Sequence, residues 1–260
     1  MKVSVWHGTL MDSNKGFQEM RKELSDTMFV EWSRGRVKSS WDVQAIAALL
    51  DQNKLWRGLD IGGGIGAFTN ALCDLNCGIQ AVDVVDPSIE AHENFIANPK
   101  TTLIKGTMES LPDDVSYDFI IINLVCHHII SETNQSTLGS QLSFLKKAQS
   151  LLRRNGLLFI EENIYESYLH NDLCGRLIYE ITSLKGIESL TRKLGANTAG
   201  EGVRFHSDLA WRKIFQQAGL KIIHTFVNTE WGSRMPIWQK IPLACKTRYQ
   251  KMYVLARDWQ

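Results

Sequence analysis

The residues best suited to chemistry in this chain lie in one run, Leu59-Asp60-Ile61-Gly62-Gly63-Gly64-Ile65-Gly66. The run ends an apolar segment and opens an amphipathic one, which is the pattern of a strand turning into a helix. Glycine permits positive φ and lets the backbone approach a ligand. The first turn of the helix that follows offers unpaired N–H groups and a partial positive charge. A glycine-rich turn alone also fits dinucleotide binders, or a plain tight turn. Two details point to a different ligand. Asp60 stands just before the glycines, where a carboxylate repels a pyrophosphate but accepts hydrogen bonds from an amino-acid head group. The spacing Gly62-x-Gly64-x-Gly66 also departs from G-x-G-x-x-G. A second acid, Asp86, ends the next apolar run in Val85-Asp86-Pro87-Ser88. A carboxylate at that edge can take both hydroxyls of a ribose. Asp83 competes for the role. Asp86 fits better because Pro87 then starts a helix in its preferred first-turn position. Asp86 or Ser88 acting only as a helix cap is the bland alternative.

A second group of reactive side chains comes later. His127 and His128 follow a strongly apolar run, and an unperturbed histidine titrates near pH 6.5, which suits a general base. Core packing or helix capping are their alternatives. Glu161, Glu162 and Asn163 end another run, with Tyr165 and Tyr168 beyond them. Adjacent acids on a strand point to opposite faces, so Glu161 and Glu162 are not expected to act as a pair. At least one is expected to line a pocket. The stretch from Asn197 to His206 is glycine-containing and polar, and suits a lid. Within it Arg204 could hold a carboxylate of the substrate or of a cofactor bidentately, or equally be a paired arginine of a surface loop, and His206 could belong to a helix cap. Trp6, Trp32, Trp41 and Trp231 could line an aromatic pocket, although core packing is the commoner use of tryptophan.

These residues need elements to hold them. Residues 15 to about 54 read as helical, with Phe17, Met20, Leu24 and Met28 on one stripe. Trp41, Val43, Ile46, Leu49 and Leu50 form another stripe, for which Ser40 is a candidate cap. From there strands and helices alternate. Strands are expected at Leu55–Ile61, Ile79–Val85, Thr102–Ile104, Tyr117–Val125 and Leu157–Ile160. Helices are expected at Ala67–Leu75, Ile89–Ile96 and Leu138–Leu152, with a turn at Asn155-Gly156. This order predicts a parallel sheet with right-handed crossovers and helices on both faces, binding its ligand at the carboxyl ends of the strands. Residues 163 to 206 break the rhythm with helical stretches at Leu173–Leu184 and Ile187–Leu194, and read as a cap insertion. The rhythm returns with a helix at Asp208–Ala218, ended by Gly219, and strands at Leu220–Phe226 and Met252–Ala256. The expected organisation is an N-terminal helical lid over 1–54, a ligand-binding core over 55–162, the cap over 163–206, and the rest of the α/β core over 207–260.

Taken together, these pieces resemble class I S-adenosylmethionine (SAM)-dependent methyltransferases, particularly the small-molecule group that includes the ubiquinone and menaquinone biosynthesis enzymes. The matching segments are Leu59 to Gly66, Val85 to Ser88, Gly106-Thr107-Met108-Glu109-Ser110-Leu111-Pro112, Tyr117-Asp118, Asn123-Leu124-Val125-Cys126-His127-His128, and Leu151 to Ile160. They cover roughly residues 55 to 162, with a weaker match over 207 to 256. The resemblance implies a Rossmann-like fold with a mostly parallel seven-stranded sheet. It implies that Asp60, Gly62 and Gly64 hold the methionine part of SAM and Asp86 the ribose. Thr107, Met108 and Glu109 would border the adenine, and Asn123 would lie beside the sulfonium. Many relatives carry an acid where this chain has Thr107, so the contact to the adenine amino group would fall to a backbone carbonyl or to Glu109. The expected activity is methyl transfer to an O, N or C nucleophile of a small molecule. His127, Glu161 and Tyr165 are the candidate catalytic residues, and no metal is expected. Two other chemistries fit the same motifs less well: a SAM-consuming cyclase or lyase releasing methylthioadenosine, and a nicotinamide-dependent oxidoreductase.

Composition narrows the partners. The chain has 260 residues, is 44% hydrophobic and carries a formal net charge of +1. It is long enough for one large domain with a cap, and its near-neutral charge gives no electrostatic reason to expect nucleic acid or an anionic membrane. The five cysteines are odd in number and sparsely spaced, unlike a disulfide framework, and suggest a cytoplasmic protein. Cys73 and Cys77 lie on one expected helix without a second pair at zinc-site spacing. There is no apolar signal core near Met1 and no stretch of the roughly 20 apolar residues that spans a bilayer.

Overall fold

The central apolar runs become strands because they are buried on both faces, as the inner strands of a parallel sheet must be, whereas the edge runs 101–105 and 220–228 stay partly exposed. In the computed structural model, which describes residues 40–76, 78–112, 114–169, 172–186, 200, 202–228 and 235–258, they lie side by side in one sheet. The strands are β1 (Trp56–Ile61), β2 (Ile79–Asp86), β3 (Thr101–Lys105), β4 (Tyr117–Asn123), β5 (Leu152–Ser167), β6 (Leu220–Asn228) and β7 (Cys245–Arg257). Among the described residues the sheet has seven strands in the order β3-β2-β1-β4-β5-β7-β6. Strands β1 to β5 pair in parallel, while β7 runs antiparallel between β5 and β6. The order reverses between β1 and β4, which opens a crevice at their carboxyl ends.

Two apolar layers cover the sheet. On one face Leu59, Ile61, Ile120, Ile122, Leu158 and Ile160 meet Phe144 and Leu145 of helix α4 (Asn134–Leu151) and Trp211 and Phe215 of α6 (Asp208–Gln217). On the other, Phe119, Ile121 and Phe159 meet Val43 and Ile46 of α1 (Trp41–Leu49) and Phe68 and Leu72 of α2 (Ala67–Leu75). Register partners in a sheet share a face. Asp60 is paired with Val84 and Ile121, and Asn123 with Glu161. Asp60, Asp86, Asn123 and Glu161 therefore all point to the α1/α2 face, at or near the carboxyl ends of their strands.

Several expectations are corrected. The Asn155-Gly156 turn lies inside β5, where the register moves from Tyr117↔Leu152 to Phe119↔Leu157, so the strand bulges there without reversing. That strand also runs on to Ser167, because its polar end finds an antiparallel partner in β7. Helix α3 (Ile89–Glu93) stops short of Ile96, and α4 starts at Asn134, before Leu138, with a capping box between Thr133 and Ser136. Ser40 sits at the N-terminus of α1, but its side chain makes no capping hydrogen bond. The stripe from Phe17 to Met28, the helix expected at Ile187–Leu194, Cys77, Asn197, Trp6, Trp32 and Trp231 lie outside the described residues.

The stretch expected as a cap holds α5 (Leu173–Ser183) and the segment 202–207, and the short helix α7 (Ile237–Lys240) precedes β7. Gly175 is where α5 meets that segment. A Cβ on Gly175 would lie 1.9 Å from the Phe205 carbonyl oxygen and 2.6 Å from Arg204 Nη1. Gly175→Ala should therefore force the two pieces apart and cost about 1–3 kcal/mol of stability, read from the shift of the urea midpoint.

Candidate functional site

The glycine run forms the turn from β1 into α2. Gly62, Gly64 and Gly66 have φ of 73°, 60° and 78°, the left-handed region open mainly to glycine. Gly63 is required for a different reason. A Cβ there would lie 2.5 Å from Asp60 Oδ2 and 2.6 Å from Val84 Cγ1. Asp60 is buried beneath the turn and accepts a hydrogen bond from the Thr69 hydroxyl of α2. It thus ties the strand end to the helix that follows. The N-terminus of α2 begins at this turn, the kind of position where anionic groups are favoured.

Asp86 is fully buried at the end of β2. Its Oδ2 accepts the Gly64 N–H at 2.8 Å, and its Oδ1 accepts the Ser88 N–H at 2.9 Å. One carboxylate therefore positions the glycine turn and the start of α3 together, and each oxygen keeps further acceptor capacity. The Ser88 hydroxyl caps α3 by accepting the Ala91 N–H, so capping falls to the serine. Asp83, the competitor, faces the other side of the sheet. Its carboxylate takes the Tyr117 hydroxyl at 2.9 Å and Arg57 at 3.1 Å, away from the crevice.

The other expected contacts with the nucleoside follow β3 and β4. Thr107 and Met108 are buried in the turn after β3, whereas Glu109 is exposed. Asn123 ends β4. Leu124, next in the chain, has φ of 56°, a left-handed conformation that is strained for leucine, and its N–H is bound by the Glu161 carbonyl at 2.9 Å. Such strain gathers at functional sites. Glu161 is 2% exposed on the same face as Asn123.

His127 lies in a short 3₁₀ turn, Cys126–His128, beyond Leu124. Its Nδ1 is 2.7 Å from Glu162 Oε2, and its backbone N–H reaches Glu162 Oε1 at 3.3 Å. Glu162 is fully buried. The imidazole stacks on Phe205, with ring centroids 4.6 Å apart. Glu162 thus fixes both the ring and its backbone. With Nδ1 facing a carboxylate, Nε2 is the nitrogen left to exchange a proton. Glu161 and Glu162 do point to opposite faces, as expected. His128 stacks on His127, and Tyr168 is exposed.

Tyr165 sits in the apolar cluster of the cap with Cys174, Ile178, Val203, Met235 and Cys245, and Phe205 packs between it and His127. Burial pushes its hydroxyl up, against the pull of Arg248. Phe205 therefore connects Tyr165 to His127, but the glycine turn is not among the neighbours of this cluster. Trp41 packs, partly buried, into the apolar layer on α1.

Arg204 does not present its guanidinium to an external carboxylate. It is 2% exposed and donates to Asp172, to Asn134 Oδ1 at 2.6 Å and to the Phe205 carbonyl. His206 is not the cap of α6 either. Ser207 caps that helix, while His206 bridges Asp172 and Gln141 Oε1, the latter at 2.7 Å. Asp172 thus locks α5 to residues 204–207. Burial pushes its carboxyl up, but hydrogen bonds from His206 and Ser207 and the charge of Arg204 outweigh this and hold it below the usual value. A depressed carboxyl stabilises the fold above its unfolded pKa of about 3.9, and that stability is lost as the pH falls through the folded value. Thermal melts should therefore show a falling midpoint below about pH 4. Asp172→Asn should cost roughly 1–3 kcal/mol at neutral pH and flatten that acid limb.

Among the described residues, no group of three or more His, Cys, Asp and Glu side chains is arranged to hold a metal ion. Among the same residues, no helix is long and apolar enough to cross a membrane.

Comparison with known proteins places this geometry. Residues 31–225 match a family described as methyltransferase domain. A Xenopus laevis protein named N-terminal Xaa-Pro-Lys N-methyltransferase 1-B is 30% identical over 111 residues, which are 41% of this chain and 47% of the relative. The chain thus matches about half the length of that curated relative. A SAM-dependent methyltransferase from Leishmania major has a similar structure, with a TM-score of 0.52 at 19% identity, covering 88% of this chain and 82% of the other. Phosphoethanolamine N-methyltransferase 2 from Haemonchus contortus, solved with S-adenosylhomocysteine, superposes with a TM-score of 0.62 at 13% identity, covering 94% of this chain and 60% of the other. At these identities the two structures speak for the fold.

Proposed function

We propose, on the premise that this chain belongs to the family of SAM-dependent methyltransferases matched over residues 31–225, that it transfers the methyl group of SAM to a small-molecule acceptor. The observation that carries this reading is the left-handed glycine turn fastened to Asp86 by the Gly64 N–H. The turn fits an aminoacyl nucleoside: its glycines leave the backbone bare, a helix begins at it, and acids stand below it and beside it. Asp60, Gly62 and Gly64 hold the methionine part, Asp86 the ribose, and Thr107 and Met108 the adenine. Glu109 borders the adenine from the solvent side, and Asn123 lies beside the sulfonium.

When bound, SAM supplies an electrophilic methyl group on sulfur. The protein's task is to align the acceptor and remove its proton where the nucleophile requires it. In this reading His127 is the base, acting through Nε2. Glu162 is a positioning residue that holds the ring through Nδ1 and the backbone N–H of His127. Glu161 orients the acceptor on the α1/α2 face, and Tyr165 forms part of the side wall beneath the cap. A cytoplasmic setting is proposed on the free, buried thiols Cys73, Cys126, Cys174 and Cys245.

A second reading takes a protein's amino terminus as acceptor. The name of the Xenopus relative favours it, as do acceptor groups on Glu161 and Asn163, which share one face of β5 and suit an amine. The test is to incubate the full chain with SAM, alone and with small amines, phenols, carboxylates or a peptide beginning Xaa-Pro-Lys, and to identify the nucleoside product by mass spectrometry. S-adenosylhomocysteine formed only with a small acceptor supports the first reading, and formed only with the peptide the second. Methylthioadenosine from SAM alone would mean a cyclase or lyase. Binding of a nicotinamide dinucleotide in place of SAM would mean an oxidoreductase.

A further inference from the structure

Cys174 lies in the first turn of the cap helix α5, and Cys245 is the first residue of β7. Ser167 brings them together. Its Cα is the register partner of Cys245 across the β5–β7 ladder. Its hydroxyl accepts the Cys174 N–H at 2.7 Å. Both cysteines are fully buried in one apolar cluster with Tyr165, Ile178, Val203 and Met235. Both are free thiols. The two side chains are close enough to interact, and the Cys245 thiol faces the Thr247 carbonyl oxygen 3.6 Å away. Cys73 and Cys126 lie in the separate layers on the two faces of the sheet.

We propose that Cys174 and Cys245 are a reversible dithiol–disulfide pair, a modification site that clips the cap helix to β7 beside Tyr165. The two thiols have different parts. The interaction with Cys174 holds Cys245 below its ordinary value, with Lys240 and Arg248 adding to it and burial and Glu166 opposing. The same interaction, together with burial and the charge of Asp172, holds Cys174 up against Arg204. Cys245 is therefore the attacking thiolate and Cys174 the resolving thiol. A buried pair calls for a small oxidant, and hydrogen peroxide is the class that fits. The Cys245 thiolate attacks one peroxide oxygen, the O–O bond breaks, and hydroxide leaves to take up the thiol's proton as water. Cys174 then attacks the sulfenic sulfur, an S–S bond forms, and the second oxygen leaves as water with the Cys174 proton. The two thiols lose two electrons and the peroxide gains them, giving one disulfide and two waters.

The proposal rests on the cap and not on the reading of the activity, and so does its test. Reduced, desalted full-length protein is treated with hydrogen peroxide, its free thiols are blocked with N-ethylmaleimide, and tryptic peptides are mapped by mass spectrometry. The expected product links the peptide of residues 155–176 to that of residues 241–246, two hydrogens lighter than their sum and separated by dithiothreitol. Cys73 and Cys126 should stay blocked by maleimide. The oxidised protein should melt several degrees higher, because the link closes a long loop of the unfolded chain, and Cys174→Ser should abolish the rise. Finding both peptides fully maleimide-labelled after peroxide treatment would overturn the proposal, as would their oxidation to unlinked sulfinic acids. If Cys174→Ser fails to fold, the wild-type peptide map decides alone.

Discussion

His127→Asn is expected to lower kcat by about 10²–10⁴-fold with the KM for SAM little changed, the loss typical of removing a general base. Asparagine is chosen because its side-chain NH₂ can take the place of Nδ1 and keep a donor on Glu162, 2.7 Å from that nitrogen in the native protein. Only Nε2 is then removed. His127→Ala would instead leave the fully buried Glu162 carboxylate without its ring partner, and a fall in activity would be confounded by a fall in stability. Glu162→Gln supplies the complementary result. The amide oxygen still accepts from Nδ1, so the ring stays in place and kcat should fall by less than in His127→Asn, with the KM for SAM again little changed. An unchanged kcat in His127→Asn would remove histidine from the chemistry and leave it a packing role between Glu162 and Phe205.

Asp86→Ala is expected to weaken SAM or S-adenosylhomocysteine binding by about 1–3 kcal/mol, roughly 5- to 150-fold in Kd by titration calorimetry. Two losses combine. The ribose loses a charged acceptor, and the N–H groups of Gly64 and Ser88 lose the carboxylate that holds them at 2.8 and 2.9 Å. Asp86→Asn separates the two, since one amide oxygen can still accept from the turn while the charge is gone. An unchanged Kd in Asp86→Ala would refute the ribose assignment. A melting temperature that drops while affinity holds would show that Asp86 serves the turn alone.

The parallel half of the sheet is legible because inner strands buried on both faces read as unbroken apolar runs, as in Phe119 to Ile122. The glycine turn was legible because so few residues tolerate its backbone. The antiparallel end was harder to read. Residues 161–167 and 245–251 are polar and charged, yet they pair with each other along β5 and β7, where hydrogen bonding across the ladder outweighs side-chain propensity. Asn155-Gly156 carries the strongest short-range turn signal, and the sheet absorbs it as a bulge. The site was legible in its parts and not in its pairings. His127 and Glu162 are 35 residues apart, and only the β4–β5 register joins them. Sequence leaves Arg204 open between binding a ligand and pairing internally, because Asp172, its partner 32 residues away, sits on no recognisable pattern. Spacing does not single out Gly63, because it marks the positions that need positive φ, whereas Gly63 is glycine for lack of space beside Asp60.

Strand β7 follows β6 in sequence yet lies inside the sheet, between β5 and β6. During synthesis the earlier strands can assemble as they emerge, but β5 waits with an open edge until residues 245–257 leave the ribosome. The nascent protein thus carries an open, aggregation-prone strand edge for as long as β7 is missing. A premature stop anywhere before Cys245 would expose two strand edges at once, so chaperones rather than catalysis would decide the fate of such a product.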